Sequence, residues 1–327
     1  MAANKPKQTA PVKNAVEIRH LTKAYGKARG ITDITLSIPE GEFFGFIGPN
    51  GAGKSTTIHT LLGLLRADSG SASIFGIDIA SRNQKALLSQ TGYLPAESVF
   101  YPGMRVRDII RFSAALRRTD CTSSAAGLCE RLALDPSKKV EELSFGNRKK
   151  LGIVCALLGN PRLCIMDEPT SGLDPFIQRE FFAILQERHQ QGTTIFLSSH
   201  ILSEIQRYCT RAAVIRAGSI IACDTVKALS QANARRVQFQ CSLDPAHLAA
   251  SASDTLGNIR DLHQAGHSIS FLYGGDLPAL LRFLAAYPIA DLTIAEPDLE
   301  EIFMHYYTDP GSSPAQTEET TNDHYTA

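Results

Sequence analysis

Three features of the chain argue for an α/β fold with a parallel sheet at its centre and a smaller α+β unit behind it. An apolar run, Phe43, Phe44, Phe46 and Ile47, leads straight into the glycine-rich segment Gly48-Pro49-Asn50-Gly51-Ala52-Gly53-Lys54-Ser55-Thr56. A second run, Leu163-Cys164-Ile165-Met166, ends in the acids Asp167-Glu168. From roughly Thr225 onward, short strand-like runs alternate with amphipathic segments instead. Continuous apolar runs of this length suit strands buried on both faces, as in a parallel sheet.

The first run reads as a buried strand, and Thr57 to Leu65 reads as the helix after it, with Ile58, Leu61, Leu62 and Leu65 on one side. Between them the segment fits the phosphate-loop pattern G-x-x-x-x-G-K-[ST]. Gly48, Gly51 and Gly53 let the backbone curl with its N–H groups inward, and the helix N-terminus adds partial positive charge. Lys54 is the residue to reach the β- and γ-phosphates of a nucleoside triphosphate, and the Ser55 hydroxyl is a ligand for Mg²⁺. Asn50 and Thr56 belong to the same loop. A glycine-rich turn that fits by chance is the alternative; the acids downstream argue against it.

A strand ending in Asp167-Glu168 would carry both carboxylates to the tip of the sheet, beside the loop. Asp167 would hold Mg²⁺ through its water shell. Glu168 would polarise the water that attacks the γ-phosphate. Either acid alone could be a helix cap or a surface group; the pairing with Gly48 to Thr56 is what points to phosphate chemistry.

Composition narrows the class. The 327 residues suffice for two domains, with 43% hydrophobic and 20% charged residues. Lys plus Arg and Asp plus Glu are both 33, so net charge argues neither for nor against a nucleic-acid partner. Seven cysteines without a C-x-x-C pair suggest reduced thiols in a cytosolic setting, with Cys155 and Cys164 as core filler. No apolar stretch approaches the roughly 20 residues needed to span a bilayer. Residues 1–13 read as a disordered arm rather than a secretory signal, and 308–327, rich in Ser, Thr, Pro and acids, as a disordered tail.

Leu143-Ser144-Phe145-Gly146-Asn147 stands ahead of the acids and opens a helix through Lys150, Ile153 and Leu157. Ser171-Gly172-Leu173-Asp174 follows the acids, and Ser198-Ser199-His200 closes another apolar strand, Thr194 to Ser198. In this order and spacing, residues 14 to 222 resemble the ATP-binding subunit of an ABC transporter. The resemblance implies a P-loop NTPase core of the RecA-like α/β type, with an antiparallel β edge and a helical subdomain over about 93–150. It implies ATP and Mg²⁺ as ligands, and an ATP-binding domain over 14–224. Ser144 and Gly146 would face the γ-phosphate held by the loop of a second subunit, either another copy or a paralogue. His200 would contact that phosphate, Asp174 would couple the two sites, and Tyr25, in Leu21-Thr22-Lys23-Ala24-Tyr25-Gly26, would stack on adenine. The partner would be a separate polytopic membrane permease, which would hold the protein at the cytoplasmic face of the membrane; no nucleic acid is expected.

Two departures stand out. The family usually carries Gln or Glu after Gly-Tyr-Leu-Pro; here Gly92-Tyr93-Leu94-Pro95 is followed by Ala96, then Glu97. Either Glu97 takes over that contact with Mg²⁺ and water, or the contact is missing and turnover is slower. The signature segment also has Phe145 and Asn147 where glycine and glutamine are usual, while Ser144 and Gly146 are kept.

Val106 to Leu116 reads as a helix with Ile109, Ile110, Phe112, Ala115 and Leu116 on its apolar face. Phe100, Tyr101 and Met104 either form an exposed patch for the permease or pack in the subdomain's own core. Residues 225–307 read as an accessory α+β domain, with strands Val237 to Cys241, Ser268 to Tyr273 and Leu292 to Ala295. One helix is marked by Leu277, Leu280, Leu281 and Leu284, and a last one by Leu299, Ile302, Phe303 and Tyr306. Glu296 to Phe303 resembles the C-terminal segment of ATPases serving drug, antibiotic or bacteriocin exporters. His263, His267 and His305 are spaced poorly for a metal site and read as solvated. Two rival functions remain: a soluble ABC-type ATPase acting on ribosomes or DNA, and a regulatory ATP-binding protein with little turnover.

Overall fold

The first strand among the described residues pairs with its neighbour over most of its length, from Asn14 opposite Pro39 to Tyr25 opposite Ala28. The computed structural model describes residues 13–26, 28–81, 83–117, 121–230, 235–241, 255–256 and 259–295. The chain divides into two compact units, Met1–Ala228 and Leu229–Ala327.

In chain order, the first unit holds β1 (Asn14–Tyr25), β2 (Ala28–Pro39), β3 (Phe43–Ile47), α1 (Lys54–Leu61), β4 (Ser69–Ile74), β5 (Ile77–Asp78), α2 (Gln84–Ser89), β6 (Thr91–Leu94), α3 (Val106–Arg117), α4 (Thr122–Arg131), α5 (Phe145–Leu157), β7 (Leu163–Asp167), α6 (Pro175–Gln190), β8 (Thr194–Ser199), α7 (Leu202–Tyr208), β9 (Arg211–Arg216) and β10 (Ser219–Thr225). A short helix, α8 (Val226–Ser230), follows. Strands β2-β1-β4-β5 form an antiparallel sheet, and β10-β9-β3-β8-β7-β6 form the larger sheet. Within the latter, β9, β3, β8, β7 and β6 run parallel and β10 closes the edge antiparallel.

All residues of β3, β7 and β8 are buried, which is why each is a near-continuous apolar run. Phe44 and Phe46 meet Phe196 edge-on, at ring separations of 6.0 and 5.5 Å. Ile58, Leu61 and Leu62 of the α1 segment join one core with Val16, Ile18 and Ile34 of the antiparallel sheet and Ile165 and Phe196 of the parallel one. That burial fixes the helix between the two layers.

Several helix expectations need correction. The helix after the glycine-rich loop begins at Lys54, not Thr57, because Gly53 at φ 110° is its N-cap. It ends at Leu61 rather than Leu65, since Gly63 turns left-handed at φ 71° and donates back to Thr60 O at 3.0 Å. Leu65 is only half-buried. In α3 the buried stripe is Val106, Ile109 and Ile110; Phe112 (53% exposed), Leu116 (70% exposed) and Ala115 lie off it. Tyr101 is exposed, whereas Phe100 and Met104 are half-buried. All seven cysteines are free thiols, Cys164 buried and Cys155 half-buried; burial pushes the Cys155 thiol up to about 11 and that of Cys164 to about 12.

The second unit contains β11 (Arg235–Cys241), β12 (Ile259–Ala265), β13 (Ser268–Tyr273), α9 (Leu277–Ala285) and β14 (Ile289–Ala295). Its sheet is antiparallel in the order β12-β13-β11-β14. Alternate residues Val237, Phe239 and Cys241, with Ile269, Phe271 and Tyr273, share a core with Leu280, Phe283 and Leu284 of α9. Leu281 is exposed, so Phe283 rather than Leu281 completes the buried face of the helix. Strand β12 has no signature in the sequence pattern, because Ile259-Arg260-Asp261-Leu262-His263-Gln264-Ala265 carries too few apolar residues to read as a strand. Residues 1–12, the last helix at Leu299 to Tyr306, the segment Glu296 to Phe303, His305 and the tail from 308 lie outside the described residues.

Candidate functional site

Neighbouring strand ends assemble the site. Register pairs Ile47 with Ser199, and Ser198 with both Phe46 and Asp167, so β3, β8 and β7 finish side by side. The glycine-rich loop leaves β3 pressed against β9. A Cβ on Gly48 would lie 2.4 Å from Ile215 O, and one on Gly53 would lie 2.8 Å from Ile31 Cγ2. No larger residue fits at Gly48 without moving backbone.

Lys54 is buried and folds back over the loop. Its Nζ donates to Gly48 O at 2.6 Å and Pro49 O at 3.2 Å, and pairs with Glu168 Oε1 at 3.1 Å. The ammonium thus sits at the mouth of a backbone curl on a helix N-terminus, an arrangement suited to an anion. Ser55 Oγ donates to Asp167 Oδ2 at 2.7 Å. Asp167 is 1% exposed, and its Oδ1 is buried without a hydrogen-bond partner. A buried carboxylate oxygen left open beside a hydroxyl fits a hard cation with oxygen ligands such as Mg²⁺. Among the described residues no group of three or more His, Cys, Asp or Glu could hold a metal ion, so Ser55 and Asp167 would share such an ion with phosphate oxygens and water.

Glu168 leaves the strand in the left-handed region, at φ 46°, with its N–H on Ser198 O at 3.0 Å. That conformation is costly for a residue with a Cβ. It sets one carboxylate between two partners, since Oε2 lies 2.6 Å from His200 Nδ1 while Oε1 meets Lys54. The turn carrying His200 is itself braced: Ser199 Oγ donates to Glu204 Oε2 at 2.8 Å and accepts from Ile201 N at 2.9 Å. Burial raises the Glu204 carboxyl above its ordinary value. Nearby, burial and then the Asp167 charge raise the Tyr93 hydroxyl, which shares a hydrogen bond of 2.9 Å with His59.

Lys54, Ser55, Asp167, Glu168 and His200 are therefore one connected cluster. Ser144, Gly146 and Asp174 form another locus. Ser144 caps α5, its Oγ accepting from Asn147 N at 3.3 Å, and Asp174 caps α6 by accepting from Phe176 N and Ile177 N at 3.1 and 3.0 Å. The two turns touch: a Cβ on Gly146 would lie 2.7 Å from Gly172 O, and one on Gly172 would lie 2.3 Å from the Phe145 ring. Tyr25 is exposed at the end of β1. Glu97 is exposed and Ala96 half-buried. Sequence reasoning passed over Lys149, which is buried and bonded to the 95–96 backbone. The signal was available in its spacing: Lys149, Gly152, Ile153 and Ala156 share one buried helical face.

The ABC transporter family model matches residues 31–171. The chain is 30% identical over 296 residues to the bacitracin transport ATP-binding protein BcrA of Bacillus licheniformis, covering 88% of this chain and 96% of that protein. It is 30% identical over 303 residues to the linearmycin resistance ATP-binding protein LnrL of Bacillus subtilis (strain 168), covering 89% and 97%. A solved structure described as the ATP-binding subunit of an ABC transporter superposes with a TM-score of 0.62 at 30% identity, over 66% of this chain and 92% of that one.

Proposed function

The chain belongs to the ATP-binding subunits of ABC transporters, and from that premise we propose that its ATPase activity powers export through a separate membrane permease. Support comes from relatives named for bacitracin transport and linearmycin resistance, similar over nearly their whole length. The permease would hold the protein at the cytoplasmic face of the membrane. Phe112 and Leu116, exposed one turn apart on α3, offer it an apolar surface, with Tyr101 as a further exposed contact. Among the described residues no helix is long and apolar enough to cross a membrane.

One observation carries the chemistry: Glu168 is held between Lys54 and His200, beside the Ser55–Asp167 pair. On ATP binding, Lys54 exchanges the Gly48 and Pro49 carbonyls for phosphate oxygens, and its pull on Glu168 weakens. Glu168 then accepts the proton of the attacking water, and the His200 ring keeps the carboxylate aimed. Ser55 and Asp167 would hold Mg²⁺, which would supply neutralising charge for the phosphates. Ser144 and the Gly146 backbone serve the nucleotide of a second protomer, a copy or a paralogue, and closure removes water from both sites. Tyr25 stacks on adenine, and Asp174 links the two sites at their junction.

Steady-state ATPase measurements on Glu168→Gln test this assignment. The variant keeps ATP affinity and loses hydrolysis by at least about a hundredfold if Glu168 is the base. Turnover at the unaltered rate rejects it.

A further inference from the structure

The loop after β6 has no side chain at position 96 able to ligate or donate, since Ala96 stands there. What it receives comes from α5. Lys149, 1% exposed, donates from Nζ to Pro95 O at 3.1 Å and Ala96 O at 2.7 Å. One turn further along the same helix face, a Cβ on Gly152 would lie 2.4 Å from Ser98 Oγ and 2.8 Å from Leu94 Cδ1. The segment from Leu94 to Ser98 therefore lies flush on α5, with Lys149 bonded to its middle.

A lysine is rarely buried this completely unless it is paired, because its charge loses hydration. Burial is the larger influence here and brings the ammonium down to about 8, while Asp167, Glu168 and Glu97 act against it. Two carbonyls and the field of three carboxylates keep the charge where packing alone would favour methionine. The same helix starts at Phe145, capped by Ser144.

We infer that Lys149 is a positioning residue for the phosphoryl site: its ammonium pins the Pro95–Ala96 backbone to α5, so the loop bearing Glu97 and the serine-bearing turn move as one body. This role rests on the reading of the chain as an ATPase with a shared site. It places the loop for turnover without itself touching the nucleotide, which is gripped chiefly by the glycine-rich segment.

The test uses the full chain with Lys149→Met, Lys149→Arg and Glu168→Gln side by side, measuring ATP affinity, KM, kcat and hydrogen exchange over residues 94–98. Lys149→Met should keep ATP affinity and KM within about threefold and lower kcat at least about tenfold, with Lys149→Arg regaining most of it. Exchange over 94–98 should quicken in Lys149→Met while that of β3 and α1 stays the same. Unchanged kcat or unchanged exchange in Lys149→Met, or an affinity loss as large as the kcat loss, overturns the role of Lys149. Full turnover in Glu168→Gln instead overturns the reading of the site on which it rests.

Discussion

His200 Nδ1 lies 2.6 Å from Glu168 Oε2, joining the tip of one buried strand to the turn after its neighbour. The other carboxylate oxygen faces the Lys54 ammonium as an ion pair at 3.1 Å, so both oxygens have a charged or polar neighbour. Orientation of this group is therefore built into the fold before nucleotide arrives. His200→Ala should lower kcat by about tenfold or more while shifting KM less than about threefold if the ring chiefly aims Glu168 rather than gripping the γ-phosphate. Equal changes in kcat and KM in a steady-state assay would contradict that role.

Metal dependence follows from the open Oδ1 of Asp167 and the Ser55 hydroxyl on Oδ2. Chelation with EDTA should abolish turnover, and Asp167→Asn should raise the Mg²⁺ concentration needed for half-maximal rate by about tenfold or more. A Mg²⁺ titration of both proteins checks it, and coincident curves would exclude Asp167 as the ion's holder.

Gly48 is a packing requirement. A methyl there would meet Ile215 O at 2.4 Å, and backbone cannot yield as a flexible side chain can. Gly48→Ala should destabilise the chain by about 2 kcal/mol or more and weaken ATP binding with it. Gly51→Ala is a useful contrast, because nothing lies within 4 Å and only the left-handed backbone, φ 77°, is strained. It should cost about 1 kcal/mol. Denaturant unfolding of the two variants reads the difference, and equal losses would contradict the packing argument.

Lys149 also makes stability depend on pH. Its folded value, about 8, lies below the ordinary 10.5. Between these values the unfolded chain binds the extra proton, so this residue's contribution to unfolding free energy rises with pH. Below pH 8 the buried ammonium carries its full cost, on the order of 3 kcal/mol. The stability of wild type relative to Lys149→Met should therefore improve from about pH 7.5 to pH 10. A difference that does not change with pH would show that the ammonium is not desolvated.

The strands and loop of the site were legible because their causes are local. Strands β3, β7 and β8 are buried on both faces and so read as apolar runs; Asp167 and Glu168 sit at the end of β7, and Lys54 and Ser55 open the helix that follows β3. What escaped depends on contacts distant in sequence or on single dihedrals. Gly53 at φ 110° starts α1 three residues early, and nothing in the pattern says so. Phe112 and Leu116 match an apolar stripe but lie off the face that α3 buries. Lys149 and the Phe145–Gly172 contact join segments whose approach only the folded chain reveals. The polar strand β12 is held by its pairing with β13, not by its own composition.

In the proposed dimer the terminal phosphate of ATP is shared between the glycine-rich loop of one protomer and the Ser144 turn of its mate. Sedimentation of Glu168→Gln with ATP and Mg²⁺, over a wide range of protein concentration and alongside Ser144→Arg in the same background, tests it most directly. A dimer that forms with ATP, dissociates without it and is lost in the Ser144→Arg protein is the expected result. A monomer at every concentration, or a dimer indifferent to Ser144→Arg, would contradict it.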